Sequence, residues 1–139
     1  MARVTVRDLM TSKPFTLPPD ASLDELHELM DAKQVRHVPV VDEDGQLCGV
    51  CSHRDLVRGA LHGDRELPIS TLHNMLQTFK IEEIMVSEPE TIEPDDDIVA
   101  AGSAMIENKF GCLLVVENDE LVGILTEADF VRYVVDISS

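Results

Sequence analysis

Residues Leu9–Leu26, LMTSKPFTLPPDASLDEL, and Ile84–Ala101, IMVSEPETIEPDDDIVAA, are one text written twice. Met10 answers to Met85, Pro14 to Pro89, Thr16 to Thr91 and Pro19-Asp20 to Pro94-Asp95, and the register holds to Val41 and Val116. One residue is lost where DEDGQ becomes ENDE, and from there LCGVCSHRDLVR (Leu47–Arg58) answers to LVGILTEADFVR (Leu121–Arg132). A repeat of this length makes the chain two copies of one supersecondary unit, which constrains the fold more than any local motif. A copy of about 55 residues is too small to bury a comfortable core by itself. The two are therefore expected to share one fold, packed sheet to sheet with pseudo-twofold symmetry.

Within a copy the pattern is the same each time. Thr5 and Asp8 cap a short helical turn ending near Met10. An extended piece follows at Phe15–Leu17, or Glu90–Ile92, hemmed by prolines. Ser22-Leu-Asp-Glu25 is a capping box opening a helix whose apolar face is Leu23, Leu26, Leu29 and Met30. Its counterpart is expected to start at Asp95, with further Asp residues suiting the positive helix end, and to run through IVAAGSAMIEN. A strand comes next, Val38–Val41 or Cys112–Val116. DEDG signals a hairpin, the return strand is Leu47–Cys51 or Leu121–Leu125, and a last helix starts at Ser52 or Thr126. The fold class is thus α/β in composition, α+β in layout: two β-α-β-β-α units. The first copy takes residues 1–62 and the second 81–139. The connector 63–80 carries a helix from Ser70 with Leu72, Met75, Leu76 and Phe79 as its apolar positions.

Composition excludes several function classes. Eleven basic against 27 acidic residues give a net charge of −16, and a chain so acidic is repelled by nucleic-acid phosphates. With no Trp, one Tyr and four Phe it also lacks base-stacking platforms. The longest apolar run, Cys112–Val116, is far short of a membrane span. The start MARVTVRDLM has no signal-peptide core, so the expected location is cytoplasmic. Three cysteines argue against a disulfide framework. Cys48-Gly-Val-Cys51 spells C-x-x-C, but on a strand these positions face opposite ways, which makes them structural thiols. The five histidines have no metal-ligand spacing. No nucleophile has a paired base evident, and no phosphate-binding glycine fingerprint appears, so the chain is not expected to be an enzyme.

The remaining chemistry sits at the strand-to-helix junctions, Ser52-His-Arg-Asp55 and Thr126-Glu-Ala-Asp129. Each is readable as a plain capping box. Three features point further. Gly49 or Gly123 in the preceding strand marks close approach by a backbone or a ligand. Asp, shorter than the usual Glu or Gln, is expected to reach back less well and to accept two hydroxyl hydrogen bonds instead. The arrangement also occurs twice. Copy one adds a dense cationic set, Arg36-His37 and His53-Arg54, where copy two has Gly111-Cys112 and Glu127-Ala128. Phosphates need such cations or helix N–H groups.

The opening motif, RHVPVVDEDGQLCGV and the closing SHRD or TEAD together resemble a tandem pair of cystathionine-β-synthase (CBS) domains, a Bateman module, over residues 4–136. The resemblance implies a regulatory, stand-alone module sensing an adenosine ligand between the repeats, AMP, ADP or ATP foremost, with no required cofactor and Mg²⁺ as a companion of a triphosphate. It implies that Asp55 and Asp129 grip ribose hydroxyls and that Ser52 and Thr126 hold ribose or phosphate. Thr16-Leu17, Thr91-Ile92, Val38-Pro39 and Leu113-Leu114 would wall the adenine. Arg36, His37, His53 and Arg54 would meet the phosphates, with Cys112 at the place of His37. It further implies a homodimeric disc and a regulated partner that the sequence does not name. The rival readings are a ligand-free dimerisation scaffold, in which both Asp residues are only caps, and a sensor of S-adenosylmethionine or NADH.

Overall fold

The structure, a computed structural model, describes residues 4–61, 77–108 and 111–138. It divides into two compact units, Phe15–Glu88 and Met1–Pro14 with Pro89–Ser139. The first holds α2 (Leu23–Lys33), β2 (His37–Val41), β3 (Leu47–Ser52), α3 (His53–Leu61), a 3-10 turn (Ile81–Glu83) and β4 (Val86–Ser87). The second holds α1 (Val6–Leu9), β1 (Thr11–Ser12), β5 (Thr91–Ile92), α4 (Ile98–Asn108), β6 (Cys112–Glu117), β7 (Glu120–Thr126) and α5 (Glu127–Ser138). The sheets run β2-β3-β4 in one and β1-β7-β6-β5 in the other.

The units and the sequence copies are therefore out of phase. The leading segment of each copy belongs to the unit built on the other. β1 pairs antiparallel with β7, Thr11 opposite Ile124, and β4 pairs with β3, Val86 opposite Val50. The same hydrogen bonds recur in each unit. The Val6 and Arg7 N–H groups donate to Asp96 O and Pro94 O (2.9 and 2.8 Å), as Ile81 and Glu82 donate to Ala21 O and Pro19 O (2.8 and 3.0 Å). Apolar residues hold these segments in place. Val6 and Leu9 sit in the core with Ala101, Met105, Leu113, Val115 and Leu125. Ile81 sits with Leu23, Leu26, Met30, Val38, Val40, Cys51 and Leu56. A fully buried Val or Ile contributes roughly 1.5–3 kcal/mol, which is what fastens a short segment to a core it does not adjoin in sequence.

The strand glycines answer to this exchange. A Cβ on Gly49 would lie 2.6 Å from Val86 O, and one on Gly123 would lie 2.6 Å from Met10 Sδ and 3.0 Å from Thr11 O. The close approach expected at both positions is made by the neighbouring segment.

Local expectations resolve in detail. Ser22 caps α2, its Oγ accepting from Glu25 N–H (3.1 Å). The partner helix starts at Ile98 and not at Asp95. Asp95 and Asp96 form a turn, with Asp96 Oδ2 accepting from Glu93 N–H (2.9 Å), and Asp97 Oδ1 accepts from Val99 N–H (3.0 Å) in the position of Ser22. The DEDG hairpin closes on Asp42, whose Oδ1 accepts from the Asp44 and Gln46 N–H groups, with Gly45 at φ +80°. Copy two makes the tighter turn with Asn118 and Asp119 at φ +54° and +65°, conformations that both residues tolerate. The extended pieces differ as well. Thr91–Ile92 is a parallel strand beside β6, with the Leu114 N–H donating to Glu90 O. In copy one only Leu17 bridges, to Val40, because Pro39 stands at the position of Leu114 and has no N–H to give. The connector helix expected from Ser70, with Leu72, Met75 and Leu76, lies outside the described residues. Phe79 packs against the copy-one core. Among the described residues no helix is long and apolar enough to cross a membrane.

Candidate functional site

Each unit assembles its own strand-to-helix junction. In the unit of Phe15–Glu88, His37 stands opposite Ser52 across the hairpin, and the His53 N–H donates to Arg36 O (2.7 Å). Four of the sequence-designated residues, Arg36, His37, Ser52 and His53, thus meet at one sheet end, with Arg54 exposed and Asp55 half-buried on the first turn of α3. Leu17 bonds the backbone of β2 from the side, its N–H donating to Pro39 O (3.2 Å) and its carbonyl accepting from Val41 (3.0 Å). Thr16 beside it is exposed. In the other unit Cys112 stands opposite Thr126, and exposed Thr91 pairs with Leu114. Ile92 pairs with Val115 and packs on that core.

The copy-one junction is a complete capping box, and the copy-two junction makes the cap-to-carboxylate half of one. The Ser52 N–H and Oγ–H each donate to Asp55 Oδ2 (2.9 Å), and the Asp55 N–H returns a bond to Ser52 Oγ (3.1 Å). The Thr126 N–H and Oγ1–H donate to Asp129 Oδ2 (2.8 and 3.2 Å). The expectation that Asp reaches back poorly is thereby corrected. A side chain on the first helical turn is tilted toward the helix N-terminus, which brings even a short carboxylate to the cap N–H.

The second carboxylate oxygens differ. Asp129 Oδ1 accepts from Thr11 Oγ1–H (3.2 Å) and from Arg132 Nη1–H (3.0 Å), and the residue is buried at 3% exposure. Asp55 Oδ1 accepts no hydrogen bond from the described residues. Neither Thr11 nor Arg132 was singled out from the sequence. Thr11 reaches Asp129 across 118 positions, and only the exchange of segments between copies puts it there.

Several designated side chains are already committed elsewhere. Val38 and Leu113 lie in the two hydrophobic cores, and Pro39 and Leu114 are fully buried. The thiol of Cys51 is pushed up to about 12, first by burial and then by the Asp55 charge, which fits the structural-thiol expectation. Burial, followed by the Asp42 charge, also raises the Cys48 thiol.

A shallow polar depression of about 170 Å³ adjoins the copy-one junction, lined by His27, Met30, Asp31, Gln34, Val35, Arg36 and His53. His27, Asp31 and Gln34 share one face of the end of α2, an i, i+4, i+7 spacing that was legible in the sequence. Gln34 ends that helix at φ +53°. Among the described residues no cluster of three or more His, Cys, Asp or Glu side chains is arranged to hold a metal ion.

Comparison with known proteins agrees with this architecture. The sequence profile of the CBS domain matches residues 6–62 and again 81–136. A CBS domain-containing protein of Dictyostelium discoideum is 31% identical over 97% of this chain and 94% of its own length. A homoserine O-acetyltransferase of Methanococcoides burtonii is 30% identical over 96% of this chain, which spans only 25% of that enzyme. Among solved structures, CBSX2 in complex with AMP superposes with a TM-score of 0.79 at 28% identity, covering 97% of this chain and 98% of that one. The CBS domain pair of protein MJ0100, in complex with 5′-methylthioadenosine and S-adenosyl-L-methionine, gives 0.78 at 25% identity, covering 94% and 99%. With both copies matched and a relative aligned along nearly its whole length, the chain belongs to the CBS domain family.

Proposed function

We propose that the chain is a regulatory, non-catalytic module that binds an adenosine-containing ligand, with AMP, ADP or ATP first among the candidates. The observation that carries this reading is Asp55. One carboxylate oxygen completes the cap of α3, while the other accepts nothing from the described residues, at the end of a sheet where Arg36, His37, His53 and Arg54 gather. An ionised carboxylate has paired acceptors for the neighbouring hydroxyls of a ribose. The cations and the α3 N-terminus suit phosphate. Thr16 and Leu17 lie along β2 as an edge for adenine, as Thr91 and Ile92 lie along β6. The solved relative bound to AMP supports the ligand class. The relative bound to S-adenosyl-L-methionine supports a second reading, in which a sulfonium takes the place of the phosphates.

Ligand binding would act by population shift, favouring the conformation that makes more contacts with it. We further propose a cytoplasmic homodimer. Val131, Val134, Val135 and Ile137 on α5, with Val99 and Ile106 on α4, are exposed apolar side chains, more than a surface helix needs for its own folding. Calorimetric titration with AMP, ADP, ATP, S-adenosylmethionine and NADH, with and without Mg²⁺, tests the ligand. Micromolar binding that disappears in Asp55→Asn, with the thermal melt retained, is the expected result. Silence with all five ligands in folded protein would leave the ligand-free scaffold as the better reading.

A further inference from the structure

We infer that the chain takes one adenosine ligand and not two, because Thr11 and Arg132 occupy at Asp129 the acceptor positions that a ribose would use. The inference rests on the adenosine reading above and adds its stoichiometry and the residues that set it.

A carboxylate offers about four acceptor positions on its two oxygens. At Asp129 the box takes two through Oδ2, and Thr11 and Arg132 each donate to Oδ1 at 3.2 and 3.0 Å. The group is buried, and its charge is met by a guanidinium whose own side chain is 63% exposed. A ribose diol arriving here must displace a charge-assisted hydrogen bond and a hydroxyl before it gains anything. At Asp55 the box likewise takes Oδ2, and Oδ1 accepts nothing from the described residues.

One exchange of side chain separates the two junctions here. Thr11 stands opposite Ile124 in its sheet, and Val86 stands opposite Val50 at the matching place in the other. Threonine donates a hydrogen bond from that position and valine cannot. The copy-one counterpart of Arg132 is Arg58, whose side chain lies outside those described, so the distinction rests on the hydroxyl and on the acceptors accounted for above. The basic side chains point the same way. Arg36 and His53 line the depression beside the open junction, and copy two has Gly111 and Glu127 in their places.

The test is titration calorimetry of AMP, with S-adenosylmethionine in parallel, on wild type, Val86→Thr, Val86→Ala and Thr11→Val/Arg132→Gln, each checked by thermal melt. Wild type is expected to bind one ligand per chain. Val86→Thr hands Asp55 the hydroxyl that Asp129 already has and should weaken binding about fivefold, the worth of one hydrogen bond, while Val86→Ala binds as wild type. The double variant should gain a second site. Two equivalent sites in wild type overturn the inference and leave the adenosine reading standing. A single site indifferent to Val86→Thr, or a folded double variant with no second site, also overturns it. No binding of either ligand to folded wild type counts against the adenosine reading itself.

Discussion

The two strand-to-helix junctions are near-copies in sequence and unlike in state. Ser52-x-x-Asp55 and Thr126-x-x-Asp129 both tie the cap N–H to the carboxylate, at 2.9 and 2.8 Å. Asp55 is half-buried and its Oδ1 accepts nothing from the described residues, whereas Asp129 is buried with both oxygens hydrogen-bonded. One difference comes from the neighbouring strand, which each junction receives from the other copy: β4 brings Val86 to one and β1 brings Thr11 to the other.

The largest test of this picture is Ile81→Ala. It truncates a fully buried side chain that copy two's leading segment contributes to the copy-one core, and denaturant melts should show a loss of about 2–5 kcal/mol. A cost below about 1 kcal/mol would mean that the segment does not hold the unit together. Next is the contrast between the anchors. Asp129→Ala strips three donors as well as a guanidinium partner and should cost about 2–3 kcal/mol, against about 1 kcal/mol for Asp55→Ala, which loses a cap. Equal costs would erase the asymmetry.

The glycines invert the order. Gly49→Ala drives a methyl against the Val86 carbonyl oxygen and should cost about 1–3 kcal/mol by overpacking. At Gly123 the nearest atom is the sulfur of Met10, the end of a flexible side chain, so Gly123→Ala should cost less in the same melts.

The smallest effect is kinetic. The Cys51 thiol, raised to about 12, stays protonated until the solution is strongly alkaline. At pH 8 its alkylation should be on the order of a thousandfold slower than that of an ordinary thiol. Peptide mapping that finds Cys51 labelled before half-exposed Cys112 would contradict the burial.

Much of this was legible from residues. Ser22 and Glu25, the periodic Leu23, Leu26 and Met30, the DEDG turn and the doubled hydroxyl-x-x-Asp each act within a few positions, and each appears where local chemistry put it. The helix expected from Asp95 begins at Ile98 because three consecutive Asp residues offer several caps, and only the preceding turn selects Asp97 among them. The strand glycines announced a close approach without saying by what. Arg36 and His53 were singled out from the sequence, and the structure brings them together, with the His53 N–H on Arg36 O beside one polar depression. Thr11 and Arg132 carried no signal. A threonine after a methionine looks like any other, and Arg132 reads as an ordinary helix-surface cation.

The sequence by itself determined the duplication, the elements of each copy and the two capped junctions, because caps, turns and apolar periodicity are short-range properties of the chain. Tertiary structure decided that each copy's leading segment completes the other's sheet, and through it that Asp129 receives the Thr11 hydroxyl. The physical reason is that an acceptor's availability depends on every donor within about 3 Å of it, and the donor that closes Asp129 lies 118 residues away along the chain.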